Sequence, residues 1–257
     1  MNNFRISASI VTYNNEREIR GVLNSLLDSS VKDLIDIYVV DNCSTDRTIK
    51  ILQNTYKNIN LINMKSNVGY GRGHNAAIQV AKSKYHLVIN PDINFDINLI
   101  ENLISYLESN EDIVLCIPNV HDNDNNLKHP PKKDPTIRYL IGRYFASRGG
   151  IFKKWADEYE CKNTNLVRPF EIEFCSGSFM AARTETLQKL DGFDSRYFLY
   201  FEDADLSRKM RKMGKVVCNP NYYVQHEGKR ESHKSIKGLQ MMLSSMFKYF
   251  NKWGWKY

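Results

Sequence analysis

The chain has no CxxC pair, an odd number of cysteines (Cys43, Cys116, Cys161, Cys175, Cys218) and no apolar run near the roughly 20 residues that span a bilayer. The first absence argues against a structural zinc site, and the cysteines read as reduced core residues in or beside apolar segments. The last argues against a transmembrane helix. Met1-Asn2-Asn3-Phe4-Arg5 lacks a signal-peptide pattern and runs straight into a strand, so the expected compartment is the cytoplasm. Internal repeats and low-complexity tracts are also missing. What remains is an ordinary globular composition, 42% hydrophobic and 25% charged over 257 residues, enough for one large α/β domain.

The net charge of +7 is unevenly placed: seven Lys/Arg stand against two Glu from His226 onward. In that tail Ile236, Leu239, Leu243, Met246, Phe250 and Trp253 follow helical spacing, flanked by Lys234, Lys237, Lys248 and Lys252. Such a helix suits an anionic membrane surface, and equally a helix packed on its own domain or in a homodimer. Because the charge is confined to this tail and no recognised module appears, nucleic-acid binding is disfavoured.

Strand and helix alternate through the first 120 residues. Apolar runs at 7–12, 35–40, 61–64, 86–90 and 113–117 predict strands, separated by segments with helical apolar spacing. Ser44 or Thr45, Asp96 and Thr184 are the expected helix caps. The pattern predicts a mainly parallel sheet covered on both faces, with ligands beyond the carboxyl ends of its strands. Thr12, Tyr13 and Asn14, Asp41 and Asn42, and Asn90 and Asp92 are therefore candidate binding residues. From His121 to about Pro169 the regularity fails, as in a functional loop or small insertion. Segments at 215–218 and 222–225 look like closing strands.

Asp41 ends a buried strand, where a carboxylate can accept the imide N–H of uracil or thymine or a ribose hydroxyl; the plain alternative is a turn aspartate. Tyr13 can stack on a base or pack as an ordinary strand-end aromatic. Asn67-Val68-Gly69-Tyr70-Gly71-Arg72-Gly73-His74-Asn75 is a glycine-rich loop with an arginine for a diphosphate, but its spacing is neither a dinucleotide fingerprint nor a P-loop. Asp92, left at the sheet edge by Pro91, suits a hard Mg²⁺ or Mn²⁺ ion shared with phosphate oxygens. Glu202, Asp203 and Asp205 open a predicted helix whose spacing would turn Leu206, Met210 and Met213 inward. They serve either the helix dipole or, with Asp203 foremost, a general base for an acceptor hydroxyl. His226 is a candidate for the metal or the diphosphate.

In this order, IVTYNN (Ile10–Asn15), VVDNCSTD (Val39–Asp46), NVGYGRGHN (Asn67–Asn75), NPD (Asn90–Asp92), Gly192–Gly214 and His226-x-Gly228 resemble the family-2 inverting glycosyltransferases. The likeness is strongest to the rhamnosyltransferase branch that builds bacterial surface polysaccharides. The resemblance implies a GT-A fold: a Rossmann-like, mainly parallel sheet flanked by helices, an acceptor-side insertion and a C-terminal amphipathic helix. Residues 1–120 would form the nucleotide-sugar half, 121–230 the acceptor and catalytic half, and 231–257 the basic helix. It further implies donor contacts from Thr12, Tyr13, Asn14, Asp41, Asn42, Asn67, Gly69, Arg72, Asn75 and Asn90, and a metal at Asp92 and His226. Asp203 would be the base with Glu202 beside it, and Gly177, Ser178 and Asp205 would face the acceptor. Where the family's metal motif often carries two carboxylates, here Asp92 stands alone. The implied reaction moves a sugar, rhamnose from dTDP-rhamnose, to a lipid-linked saccharide at the inner face of the plasma membrane. A UDP-hexose or UDP-HexNAc donor and a catalytically silent scaffold are the alternatives.

Overall fold

The apolar runs become strands because β-branched and aromatic side chains fill a pleated surface buried on both faces. In a computed structural model, which describes residues 5–128, 130–162, 167–227 and 236–257, β1 (Ile6–Thr12) is buried along its whole length. Gly228, Lys229, Arg230 and Lys234 lie outside the described residues. β1 pairs in parallel with β2 (Ile35–Asp41) and β4 (Tyr85–Ile89), and β2 with β3 (Asn60–Asn63). Thr12 is level with Asp41 and Ile10 with Ile89, so the three carboxyl ends come out on one edge. Helices α1 (Ile19–Leu27), α2 (Thr48–Thr55), α3 (Tyr70–Ile78) and α4 (Leu99–Glu108) connect the strands. Along α4, Leu99, Ile100, Leu103, Ile104 and Leu107 turn one face into the core. Each such side chain is worth roughly 1.5–3 kcal/mol when fully buried.

Beyond β4 the sheet becomes mixed. β8 (Phe179–Arg183) runs antiparallel between β4 and β6 (Ile113–His121). β9 (Lys215–His226) is parallel to β6, while β5 (Ile93–Phe95) and β7 (Phe170–Glu171) pair antiparallel with β9. The two expected closing strands are one strand: its register on β6 jumps between Pro118 and Asn119, which leaves Pro220, unable to donate to a ladder, in the irregularity. The region expected to be irregular contains α5 (Ile137–Tyr144), capped by the Thr136 hydroxyl, and α6 (Gly150–Tyr159). These two approach so closely that a Cβ on Gly142 would lie 2.5 Å from the Trp155 Cβ. Two of the expected caps differ. Asp46, rather than Ser44 or Thr45, accepts the Thr48 N–H, and Thr184 bonds Ser83 instead of capping α7 (Thr184–Lys189).

The C-terminal helix α9 (Ile236–Trp253) divides its apolar stripe between two environments. Its second half is a strap over the segment leading into α8 (Glu202–Met210): Tyr249 and Phe250 are buried against the Phe201 ring. The Ser245 hydroxyl donates to the Leu199 carbonyl, and Lys248 donates to that of Arg196. Elsewhere along the helix Ile236, Leu239, Leu243 and Phe247 are exposed. Among the described residues no helix is long and apolar enough to cross a membrane.

Two histidines sit in the core beneath β1. The Ser9 hydroxyl is 2.7 Å from His74 Nδ1 and 2.8 Å from His86 Nε2, and Ser7 is 2.6 Å from His86 Nδ1. Burial lowers both, His86 to about 3, so the folded protein keeps them neutral. The unfolded chain takes up their protons near pH 6.5, so the stability they contribute is present above that pH and lost as the pH falls below it. Urea unfolding between pH 6.5 and 5 should therefore show a loss that is smaller in His86→Asn by about 1.5 kcal/mol; equal losses in the two proteins would contradict it.

Candidate active site

The carboxyl edge of the parallel strands gathers most of the residues read from the sequence, and their hydrogen bonds separate scaffold from ligand groups. Asn14, at φ 58°, accepts from the Thr45 N–H through Oδ1, and its own N–H donates to Ser44, so it brackets two loops together. Thr12 is buried and donates to Asn15. Tyr13, by contrast, is 48% exposed at the end of β1. Asp41 accepts the Ser44 N–H with Oδ2, while its buried Oδ1 has no partner among the described residues. Asn42 donates to the Gly69 carbonyl, and its Oδ1 is likewise unpartnered. A buried acceptor without a donor is costly, so these two oxygens are where a ligand N–H or O–H gains most.

The glycine-rich loop serves the fold more than expected. Asn67 accepts the Gly69 N–H, and Gly69, at φ 90°, has the Phe198 carbonyl where a side chain would go. Asn75, expected at the donor, instead pairs with both the N–H and the carbonyl of Phe193. Arg72 donates its Nε–H to the Ser195 carbonyl at 2.7 Å, so it fastens that same turn while its side chain stays exposed. Tyr70, which the sequence reading did not single out, is more telling. Its phenol donates to the Gly177 carbonyl at 2.5 Å, joining the glycine loop to the opposite wall. Its pKa is pushed well up, by burial first and then by the negative charges of Glu202, Asp203 and Asp92. One buried phenol thus senses all three carboxylates.

That wall is the loop before β8. Gly177 donates its N–H to Asp203 Oδ2 at 3.2 Å, and the Ser178 carbonyl accepts from the Asn90 N–H at 3.0 Å. Ser178 itself is 2.9 Å from Ser176 Oγ. Asp203 also accepts the Ala204 N–H, and the chain reaches it through two successive left-handed residues, Tyr200 (φ 70°) and Phe201 (φ 66°). Such backbone costs on the order of 1 kcal/mol or more per residue and persists only when its surroundings hold it. Glu202 is buried with Oε2 unpartnered. Burial raises the pKa of Glu202 well above the usual range, with Asp203 adding to it, and burial also raises Asp203. Lys132 opposes the rise at Asp203; it is 8% exposed, lies over the Phe174 ring, and exchanges backbone hydrogen bonds with that residue.

Asp205, expected beside the acceptor, faces the other way. It is fully buried under α9, where Trp253 Nε1 and Lys252 Nζ donate to its two oxygens at 2.7 and 2.8 Å. Residues two apart on a helix point to nearly opposite sides, so Asp203 and Asp205 cannot share a face. Asp205 latches α9 to the helix that presents Asp203.

Asp92 closes the edge. Its Oδ1 and the Asn90 Oδ1 are buried and unpartnered, a pair of hard oxygen donors that fits Mg²⁺ or Mn²⁺ completed by substrate phosphate. His226 Nδ1 lies 3.6 Å from Asp92 Oδ2 but is 2.9 Å from the Lys128 ammonium, so that nitrogen does not fit as a ligand. Among the described residues, no three His, Cys, Asp or Glu side chains come together as a metal cage.

Comparisons with known proteins agree with this architecture. The model of the family described as glycosyl transferase family 2 matches residues 7–191. N-acetylglucosaminyl-diphospho-decaprenol L-rhamnosyltransferase of Mycobacterium tuberculosis is 26% identical over 219 residues, 79% of this chain and 69% of that one. Rhamnosyltransferase WbbL of Escherichia coli is 24% identical over 197 residues, 70% and 69% of the two chains. Among solved structures, residues 1–349 of TarS from S. aureus superpose with a TM-score of 0.62 at 16% identity, covering 96% of this chain and 72% of that one. GalNAc-T7 does so with a TM-score of 0.70 at 13% identity, covering 96% and 48%. With the family model spanning most of its length and a carboxylate-lined edge where such a sheet binds ligands, this chain belongs to glycosyl transferase family 2.

Proposed function

We propose that the protein transfers rhamnose, with inversion, from a pyrimidine nucleoside diphosphate donor to a hydroxyl of a lipid-diphosphate-linked saccharide. The observation that carries the reaction is the Asp203 carboxylate, fixed by the Gly177 and Ala204 N–H groups and kept ionisable by Lys132 despite its burial. It takes the proton of the acceptor hydroxyl as the oxygen attacks the anomeric carbon. The bond from that carbon to the diphosphate breaks on the far side, and the bonding pair leaves with the diphosphate, so the configuration inverts. Asp41 Oδ1 accepts from the pyrimidine imide or the ribose, with Tyr13 against the base. Glu202, whose pKa burial pushes well above the usual carboxylate range, sits beside the base in the first turn of α8. Asp92 and Asn90 would hold Mg²⁺ or Mn²⁺, which when bound supplies Lewis-acid stabilisation of the departing diphosphate. The rhamnosyl group is supported by the names of both rhamnosyltransferase relatives, and the lipid-diphosphate acceptor by the name of the Mycobacterium tuberculosis one. A UDP-hexosamine donor is the second reading, favoured by the likeness to TarS, whose structure was also solved with UDP-GlcNAc.

The exposed face of α9 gives this acceptor a place to be met. Ile236, Leu239, Leu243 and Phe247 face outward beside a basic segment, as an interfacial helix on anionic lipid would. Deleting the whole helix would uncover Tyr249 and Phe250, so point changes are the cleaner test. Leu239→Glu with Leu243→Glu should abolish co-sedimentation with phosphatidylglycerol vesicles while leaving the melting temperature nearly unchanged, since both positions are exposed. Undiminished co-sedimentation would remove the membrane from this account.

For the chemistry, Asp203→Asn should lower turnover by roughly 10²–10⁴-fold, the usual contribution of a positioned general base, and leave donor affinity near that of the wild type. Turnover within threefold of wild type would reject Asp203 as the base.

A further inference from the structure

Beyond β6 the chain folds back on itself. Asp122 Oδ1 accepts the N–H groups of Asp124 and Asn126, His121 bridges Leu127, and the Lys128 N–H donates to the Val120 carbonyl at 2.7 Å. This return carries Lys128 to the carboxyl end of β9. There its ammonium is 2.8 Å from the His226 carbonyl oxygen and 2.9 Å from His226 Nδ1. The same Nδ1 is 3.6 Å from Asp92 Oδ2, and the Glu227 N–H donates to the Asp92 carbonyl, so strand pairing fixes the three residues together.

An ammonium has hydrogens to give and no lone pair, so the imidazole nitrogen must be the acceptor. The lone pair through which His226 Nδ1 would ligate a metal beside Asp92 is therefore engaged. We propose that Lys128, seated by His226, is a further residue of the transfer site: its ammonium, rather than His226 Nδ1, supplies the positive charge next to Asp92 that binds the donor's diphosphate and stabilises it on departure. The inference rests on the proposed nucleotide-sugar function. Charge-assisted hydrogen bonds from a fixed ammonium to phosphate oxygens are among the strong ones, and a preorganised cation needs no rearrangement as negative charge grows on the leaving oxygen. His226 is then a positioning residue, holding Lys128 through both its ring and its carbonyl. A cation built into the edge also means that diphosphate binding does not depend wholly on a metal.

Calorimetric titration with dTDP and UDP, and with thymidine and uridine, in EDTA provides the test. The wild type should bind a diphosphate without metal. Lys128→Met and Lys128→Gln should weaken that binding by about tenfold or more, the scale of a hydrogen bond to a charged group, and Lys128→Arg should largely restore it. Binding of the nucleoside alone should be unchanged, which a folding defect would not spare. Equal diphosphate affinity in wild type and both neutral variants would overturn the role of Lys128 and leave the nucleotide reading standing. Failure of the wild type to bind any of the four ligands, with or without Mn²⁺, would overturn the nucleotide reading itself and this inference with it.

Discussion

Two adjacent carboxylates, Glu202 buried and Asp203 half-buried, sit in the first turn of α8, and much of the surrounding structure answers that constraint. Helix N-termini favour negative charge, which offsets part of the cost. The Gly177 N–H and Lys132 offset more at Asp203, while none of the described residues hydrogen-bonds Glu202 Oε2. Delivering the pair there requires the left-handed step at Tyr200 and Phe201. That step is stable because α9 lies over it, with Tyr249 and Phe250 against Phe201 and Lys252 and Trp253 on Asp205. A helix that reads as an appendage in the sequence is thus part of the wall behind the reactive groups.

On the donor side the same economy appears in a different form. Loop ends tie one another down through Asn14, Asn67, Asn75 and Arg72, and among the described residues of this edge Asp41, Asn42, Asn90 and Asp92 keep acceptors without a partner. Tyr70 spans from the glycine loop to Gly177 and ties the two sides of this edge together. Rigid loops around unsatisfied oxygens are what a site needs if its ligand, rather than solvent, is to complete the hydrogen bonding.

The parallel half of the sheet was legible because β1, β2 and β4 are short, predominantly apolar runs bounded by turns, a signal that depends on the strand alone. The antiparallel insertion of β8 was not, since which neighbours a buried strand chooses is decided by tertiary packing. β5, at three residues, is too short to carry a period, and α5 and α6 are disguised by aromatics and by the glycine at which they cross. In the site, Asp92 and Asp203 stood out through their positions after a strand and before a helix. Asp205 was misplaced although helical geometry alone sets it across from Asp203. Lys128 and Lys132 could not be read, because each reaches the site only through a chain reversal or a backbone bridge remote in sequence.

The central claim is a pyrimidine nucleoside diphosphate sugar bound at the Asp41 edge. Thermal unfolding with saturating dTDP-rhamnose, UDP-glucose, UDP-N-acetylglucosamine, GDP-mannose and ATP tests it most directly in wild type and Asp41→Asn. A ligand at 100 times its dissociation constant stabilises the fold by about 2.7 kcal/mol. The account predicts a shift of that order with one pyrimidine sugar, dTDP-rhamnose foremost, that largely disappears in Asp41→Asn. Equal shifts with GDP-mannose or ATP, or a shift unaffected by the substitution, would contradict it.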